Sequence, residues 1–386
     1  LRRGLAGAQF AVTIPMLVAA GLLLVSLNRI QTESYGFDPE GVVSMLVTLP
    51  GENYPDWPDV LDFWRTTLPD IEALPGVLAV GVADARPPIP VGENNFVLED
   101  RPAMDGEPQS VAPWITADPG FFRTLGVRVV EGDLYADVPA DTMRHALVDQ
   151  QWAERYYSGE SPVGRRFRSG GCTVDGCPWV EIVGVVEDVK TSGLADTRGL
   201  GTIYYDFSRD SYSSMRLHVR AQGDALAVIP GIRNVIRERD SAIPVGEVET
   251  ARELATQSVA GRRYTSTLVT LVAVVALFLS IIGVYGVMSY YVRQHVRELG
   301  IRIALGGGPE SALRMVVVRG MAVAVAGTAV GIVATPALTR PMSSLLYGVS
   351  PNHPFMIAVV AGATLTVALI ATIIPARAAA RTDPAV

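Results

Sequence analysis

The sequence predicts a membrane α-helical protein, four transmembrane helices arranged one plus three, with a large α+β extracytoplasmic domain. Three observations predict it. Residues 5–27, 265–292, 320–338 and 355–376 form uncharged stretches 19 to 28 residues long, and about 20 apolar residues wound as a helix cross the hydrocarbon core of a bilayer. Between the first stretch and the second lie about 235 mostly polar residues. Charge divides the same way. Residues 28–264 hold 36 acidic and 22 basic side chains, net −14, while the rest of the chain holds 3 acidic and 10 basic, net +7. The mean hydropathy of +0.29 is therefore an average over two chemistries. An acidic water-facing domain repels phosphate, which excludes nucleic acid as a partner.

The first span, residues 1–30, is longer than the apolar region of about 7–15 residues in a signal peptide, and no small-residue cleavage site follows at Asn28-Arg29-Ile30. It reads as a retained anchor. The chain opens on Leu1 rather than Met, so a fragment of a longer protein is the expectation. Arg2 and Arg3 precede this span, Arg293, Arg297, Arg302, Arg314 and Arg319 cluster between the second and third, and Arg377 and Arg381 follow the fourth. Only Arg340 separates the third from the fourth. Basic residues stay on the cytoplasmic side. Both termini and the loop 293–314 are then inside, and the large domain is outside.

That domain, residues 31–250, reads as short strands at 41–49, 77–83, 110–115, 145–148, 179–186 and 215–219. Val60, Phe63, Trp64, Leu68, Ile71 and Leu74 recur near helical spacing over 59–74, and Pro75-Gly76 ends the run. A short helix opens at Asp118-Pro119, with the acid as cap and Pro in the first turn. An amphipathic helix spans 225–239. Strands alternating with helices predict two small α/β lobes. Residues 247–264 hold helix formers and no Pro, so they predict one helix, with a stalk at 251–264, running into the second span. Residues 28–33 prolong the first. Such a stalk either carries motion between membrane and domain or is a passive tether. Cys172 and Cys177 read as a disulfide pinning a tight turn in an oxidising exterior. Free thiols are the alternative, and half a metal site finds no His or third Cys nearby.

Catalytic chemistry is not apparent. The sole lysine, Lys190, sits in Val189-Lys190-Thr191 without the glycine that a P-loop requires, so ATP is not hydrolysed by that machinery. His145, His218, His295 and His353 form no H-E-x-x-H or other metal spacing, and no G-x-S-x-G elbow occurs. Neither an enzyme nor a metal or cofactor site is expected. The spans carry no ionisable side chain at mid-depth, which argues against an ion-coupled carrier. Gly283 with Gly286, and Gly327 with Gly331 in a G-x-x-x-G, suit close helix contact within the chain or between protomers.

The most specific short element is Arg297-Glu298-Leu299-Gly300-Ile301-Arg302-Ile303-Ala304-Leu305-Gly306. As a helix it places Val296, Leu299, Ile303 and Ala304 on one side, fit for the membrane interface or neighbouring spans. Glu298 and Arg302 form an i,i+4 pair on the other. Ile301 and Leu305 fall among these charges and invite a groove in a partner. The alternative is an ordinary interfacial helix. Gly306-Gly307-Gly308-Pro309 stops it.

This stretch, with Pro375-Ala376-Arg377-Ala378-Ala379-Ala380-Arg381-Thr382-Asp383-Pro384, resembles the FtsX-like, or MacB-type, ABC transporter permease family. The outer domain is similar to that family's extracytoplasmic core at Phe121-Phe122-Arg123-Thr124-Leu125-Gly126-Val127, Glu131-Gly132-Asp133, Val148-Asp149-Gln150-Gln151-Trp152-Ala153, Ser161-Pro162-Val163-Gly164-Arg165-Arg166 and Ile182-Val183-Gly184-Val185-Val186-Glu187-Asp188-Val189. The resemblance implies a permease subunit of the bacterial plasma (inner) membrane, with an FtsX-like domain over 265–386. It binds no ATP itself. Separate ABC ATPase subunits dock on Glu298, Gly300, Ile301, Arg302, Ala304, Leu305 and Gly306. ATP-driven closure then reaches the outer domain through stalk helices rather than a pore. The implied task is export or extraction of an amphipathic substrate. The alternative is signalling to an extracytoplasmic protein partner such as a cell-wall hydrolase. MacB proper carries its ATPase ahead of the first span, a segment this sequence does not contain. Leu1-Arg2-Arg3-Gly4-Leu5 and Leu345-Leu346-Tyr347-Gly348-Val349-Ser350-Pro351 look most like one half of a duplicated permease. A second permease half or a second copy is then the partner in the membrane lipid.

Overall fold

The computed structural model describes residues 2–101, 109–135, 144–169, 178–194, 196, 198–208, 212–294 and 309–380. The chain forms two compact units, a membrane unit of Leu1–Thr32 with Gly261–Val386 and an outer unit of Glu33–Ala260. Helix α1 (Arg2–Gln31) opens the membrane unit.

The outer unit has two lobes. The first joins β1 (Val42–Thr48), α2 (Trp57–Glu72) and β2 (Val77–Ala83) to three elements from much later in the chain, β10 (Ser214–Ala221), α5 (Ile229–Arg239) and β11 (Val245–Thr250). The strands lie antiparallel in the order β11-β1-β10-β2. Two β-α-β halves in that order make a ferredoxin-like lobe. Helix α2 starts where Asp59 accepts the Asp56 amide at 3.4 Å, and it buries Val60, Phe63, Trp64 and Ile71. Ile232 and Ile236 of α5 join them on the sheet. Residues 225–228, predicted as the start of α5, wind as a 3-10 turn capped by Asp224.

The second lobe is inserted between β2 and β10. It contains β3 (Glu93–Leu98), β4 (Ser110–Ala117), α3 (Pro119–Leu125), β5 (Val129–Gly132), β6 (Arg144–Asp149), α4 (Gln150–Tyr157), β7 (Arg166–Ser169), β8 (Val180–Val186) and β9 (Ile203–Asp206). Pairings β4–β3, β3–β7, β7–β8, β8–β6, β6–β9 and β9–β4 close a ring of six strands. Alternate residues of β6, β8 and β9 enter two different core clusters: Leu147, Val183 and Tyr204 in one, Ala146, Ile182 and Tyr205 in the other. With both faces covered, these strands read as apolar runs rather than alternating ones. Trp152 of α4 sits wholly buried among Phe96, Tyr156 and Phe167.

The lobes meet at the pair Ala83–Ala117. Asp84 accepts from the Thr116 amide at 2.9 Å, and Asp118 from the Val82 amide at 2.8 Å and the Phe121 amide at 2.9 Å. Burial raises both carboxyls to about 6, against the backbone hydrogen bonds that favour their charged forms. Helix α3 and β2 approach so closely that a Cβ on Gly81 would meet the Phe121 amide nitrogen at 2.0 Å.

One expected helix is corrected. Residues 247–250 belong to β11, not to the start of a helix, because Val245 and Val248 pack on the first lobe's core. Thr250 and Glu253 then form a reciprocal capping box that starts α6 at Ala251. Helix α6 (Ala251–Ser258) ends before Val259, and a separate helix α7 (Ala260–Gln294) follows.

The membrane unit is completed by α7, α8 (Pro309–Thr339) and α9 (Pro354–Ala380). Among the described residues, four segments are long and apolar enough to cross a membrane: Gly7–Gln31, Ala260–Gln294, Arg314–Thr339 and Pro354–Ile374. Two hydroxyls inside them bond to the preceding turn, Thr335 to the Gly331 carbonyl at 2.9 Å and Thr364 to the Val360 carbonyl at 2.7 Å. This satisfies them where no water is at hand.

Candidate functional site

Every residue assigned to the ATPase-docking element, Glu298, Gly300, Ile301, Arg302, Ala304, Leu305 and Gly306, lies outside the described residues. So do Cys172 and Cys177. The structure does describe the helices that flank it in the chain. Val284, Met288 and Val292, in the last three turns of α7, pack with Val316 and Ala324 of α8 in one buried cluster. Ala368 of α9 and Phe10 of α1 complete it. A Cβ on Gly320 would lie 2.4 Å from Thr372 Cγ2 and 3.2 Å from Met288 Sδ, so α7, α8 and α9 converge there. The last turns of α7 and the first half of α8 thus pack in one knot.

The G-x-x-x-G is used within the chain. A Cβ on Gly327 would lie 2.6 Å from the Gly7 carbonyl oxygen, and one on Gly331 2.7 Å from Ile14 Cβ. Absence of side chains at these two positions lets α8 lie against α1. Gly283 fits the side chain of Gln9, whereas Gly286 has open space around it. Thr13 of α1 shares a buried hydrogen bond of 2.8 Å with Ser280 of α7.

The opposite end of the membrane unit is tied by the α8–α9 connection. Arg262 donates to the Leu345 carbonyl at 2.9 Å, the Tyr347 amide to Ser26 Oγ at 2.8 Å, and Arg29 to the Gly348 carbonyl. Leu346 and Val349 pack on Ile14, Val18 and Leu22 of α1. Sequence reasoning passed over this tie and over Thr13–Ser280. The available signal was polar and small residues recurring within apolar runs.

In the outer unit, among the described residues, no group of three or more His, Cys, Asp or Glu is placed to hold a metal ion. His218 is buried with Nε2 2.9 Å from the Ala85 carbonyl oxygen, and burial lowers its pKa to about 4, so the ring is neutral at ordinary pH. Asp149 caps α4, accepting from the Trp152 amide at 2.8 Å. Burial, then the charge of Asp188, raises its carboxyl to about 7.

Comparison with known proteins meets this geometry. The model of the MacB-like periplasmic core domain matches residues 17–235, and that of the FtsX-like permease C-terminal domain matches residues 270–384. The macrolide export ATP-binding/permease protein MacB of Shewanella sp. (strain W3-18-1) is 24% identical over 280 residues, covering 69% of this chain and 41% of that protein. That of Hahella chejuensis is 25% identical over 282 residues, covering 68% and 41%. The chain thus spans about two-fifths of the length of the curated relatives it matches. Among solved structures, the periplasmic region of MacB from Actinobacillus actinomycetemcomitans aligns at a TM-score of 0.37 and 9% identity, over 59% of this chain and 97% of that one. The extracellular domain of the noncanonic ABC-type transporter YknZ from Gram-positive bacteria aligns at 0.32 and 14%, over 53% and 100%. With one family model covering the outer domain and the other the last three helices, the chain belongs to the FtsX-like, MacB-type family of ABC transporter permeases.

Proposed function

We propose that the chain is the permease part of an ABC transporter and is coupled to an ABC ATPase. ATP hydrolysis there drives movements of the outer unit that export or extract an amphipathic substrate. The observation that carries this reading is the packed knot of the two helices that flank residues 295–308 in the chain. A load applied to that segment enters α7 and α8 together through Met288, Val292 and Val316, and passes to α1 and α9 through Phe10 and Ala368. The outer unit is joined to this bundle at residues 32–33 and 260–261, the two places where the chain passes between units. The uncharged middle of each span offers a coupled ion no relay. Relatives named as ATP-binding/permease proteins for macrolide export support both the ATPase and the export.

Ile301 is the apolar contact on which docking turns. In a chain co-expressed with its ABC ATPase, Ile301→Asp abolishes stimulation of ATP turnover while membrane insertion stays intact; stimulation at the wild-type level would remove the docking role. Deletion changes efflux or membrane retention of an amphipathic substrate. A change confined to cell-wall cleavage would favour the signalling role instead. Both termini and residues 295–308 face the cytoplasm in this reading. A cysteine placed at Arg302 therefore stays unlabelled by impermeant reagents in intact cells, and labelling would invert the topology.

A further inference from the structure

The outer unit holds a cavity of about 630 Å3 where its two lobes meet, within the size range of small-molecule sites. The crossover 84–92 that leaves β2 forms one wall, ring strands form another, and Arg216 enters from β10. Trp114 and Tyr205, ring centroids 4.9 Å apart, line it together with Ile89 and Val91. The crossover is held in place. The Ile89 amide donates to the Arg86 carbonyl at 3.0 Å and the Val91 amide to the Thr191 carbonyl at 3.2 Å.

Two buried donors on this lining have no acceptor, Trp114 Nε1 and Arg216 Nη1. Arg216 is 7% exposed. Its Nη2 bonds to Glu247, but Glu249 Oε2 stands 3.8 Å from Nη1, beyond hydrogen-bond reach. Buried donors are ordinarily satisfied, so two unmet ones on residues of a single cavity point to oxygens that the described residues do not supply. Among the described residues the lining carries three guanidiniums, Arg86, Arg144 and Arg216, and one carboxylate, Asp84, and Arg144 is not without a partner. Glu247 and Glu249 stand behind two of them and pair with Arg216 and Arg86. Glu247 adopts φ +42°, left-handed for a non-glycine residue, at the bulge where the β1–β11 register shifts. Such backbone persists where the surroundings enforce it, and it gathers at functional sites.

We propose that this cavity binds an amphipathic organic anion. Its apolar body lies against Trp114, Tyr205, Ile89 and Val91, and its carboxylate or other oxyanion accepts from Trp114 Nε1 and Arg216 Nη1 once a turn of each side chain brings these enclosed nitrogens onto the cavity. The inference deepens the export reading by naming the class of cargo, and it rests on that reading only in calling the ligand cargo.

The test uses the full chain in lipid nanodiscs, without ATPase, titrated calorimetrically with 1-naphthaleneacetate and octanoate against empty nanodiscs. Amide counterparts of both acids serve as neutral probes. At least one acid binds, and its amide binds about tenfold more weakly. Asn94→Trp, which fills the rim from β3, abolishes binding at an unchanged thermal midpoint. Trp114→Phe keeps the ring and removes the N–H, and weakens the acid more than the amide. Identical heats from wild type, Asn94→Trp and empty nanodiscs overturn the cavity as a site. Equal affinity for acid and amide overturns the anionic head. Because ATPase is absent, a null result here leaves the docking role of Ile301 standing, and failure of Ile301→Asp leaves this site standing.

Discussion

In the membrane unit, α1 and α8 touch where side chains are missing, with the Gly7 carbonyl oxygen 2.6 Å from where a Cβ on Gly327 would be. In the outer unit the two lobes are filled by the largest side chains available, Trp64 and Trp152, each 0% exposed. The contrast follows from the solvents. In water, burying a large apolar side chain is itself the driving force. In lipid that gain vanishes, and helices associate through close backbone approach and a few hydrogen bonds. Within the membrane unit the same contrast separates two helices. The span of α1 is 56% buried and that of α7 17%, so α1 is clamped while α7 presents Leu271, Phe278 and Ile282 outward.

Trp152→Ala tests the outer half most severely. Removing the ring that Phe96, Tyr156 and Phe167 surround destabilises the outer unit by roughly 3–5 kcal/mol, read as loss of protease resistance with insertion intact. A loss below about 1 kcal/mol would mean that α4 is peripheral. Gly331→Leu probes the clamp. Overpacking against Ile14 lowers stability by about 1–3 kcal/mol, whereas Gly286→Leu, in open space, leaves the thermal midpoint unmoved. Equal responses at the two glycines would erase the distinction between α1 and α7.

Titration separates the units again. The folded carboxyl of Asp149 is raised to about 7, so its contribution to stability is fully present below the ordinary Asp pKa near 4 and is lost as pH rises through 7. Asp149→Asn keeps the cap acceptor and removes the titration. Wild type then loses on the order of 2–4 kcal/mol relative to the variant between pH 4 and 8, measured by denaturant unfolding of the outer unit. Parallel curves would refute the burial of that charge. Smallest is Thr13→Val. Losing the bond to Ser280 costs about 0.6 kcal/mol, the mean for interhelical bonds in lipid, seen as a slight fall in thermal midpoint.

Much of this architecture was legible. Uncharged runs located all four spans, and β2 was predicted at 77–83, the residues it occupies. What escaped detection was short or depended on distant partners. Strands β5, β7 and β9 have four residues each, too few for a period to show; β7 and β9 exist because the ring closes on them, and β5 because it pairs with β8 outside the ring. Residues 247–250 of β11 read as helix because Glu247-Val248-Glu249-Thr250 suits either state locally. Its pairing with β1 decides the matter. For the proposed docking residues the sequence supplies identities alone, since they lie outside the described residues, and the structure describes the knot formed by the helices that flank them. The arginine pair at the lobe junction left no local signal, since Arg86 and Arg216 meet only after the second lobe has been inserted between them.

That insertion also orders events in time. Strand β1 pairs on both sides with strands that emerge only after residue 213. During synthesis, which runs from the N-terminus, the entire six-strand ring becomes available before β1 has either neighbour. The first lobe is therefore begun first and finished last, with both edges of a hydrophobic strand held open while the ring assembles. Such a nascent chain needs shielding outside the membrane until residue 250 has crossed.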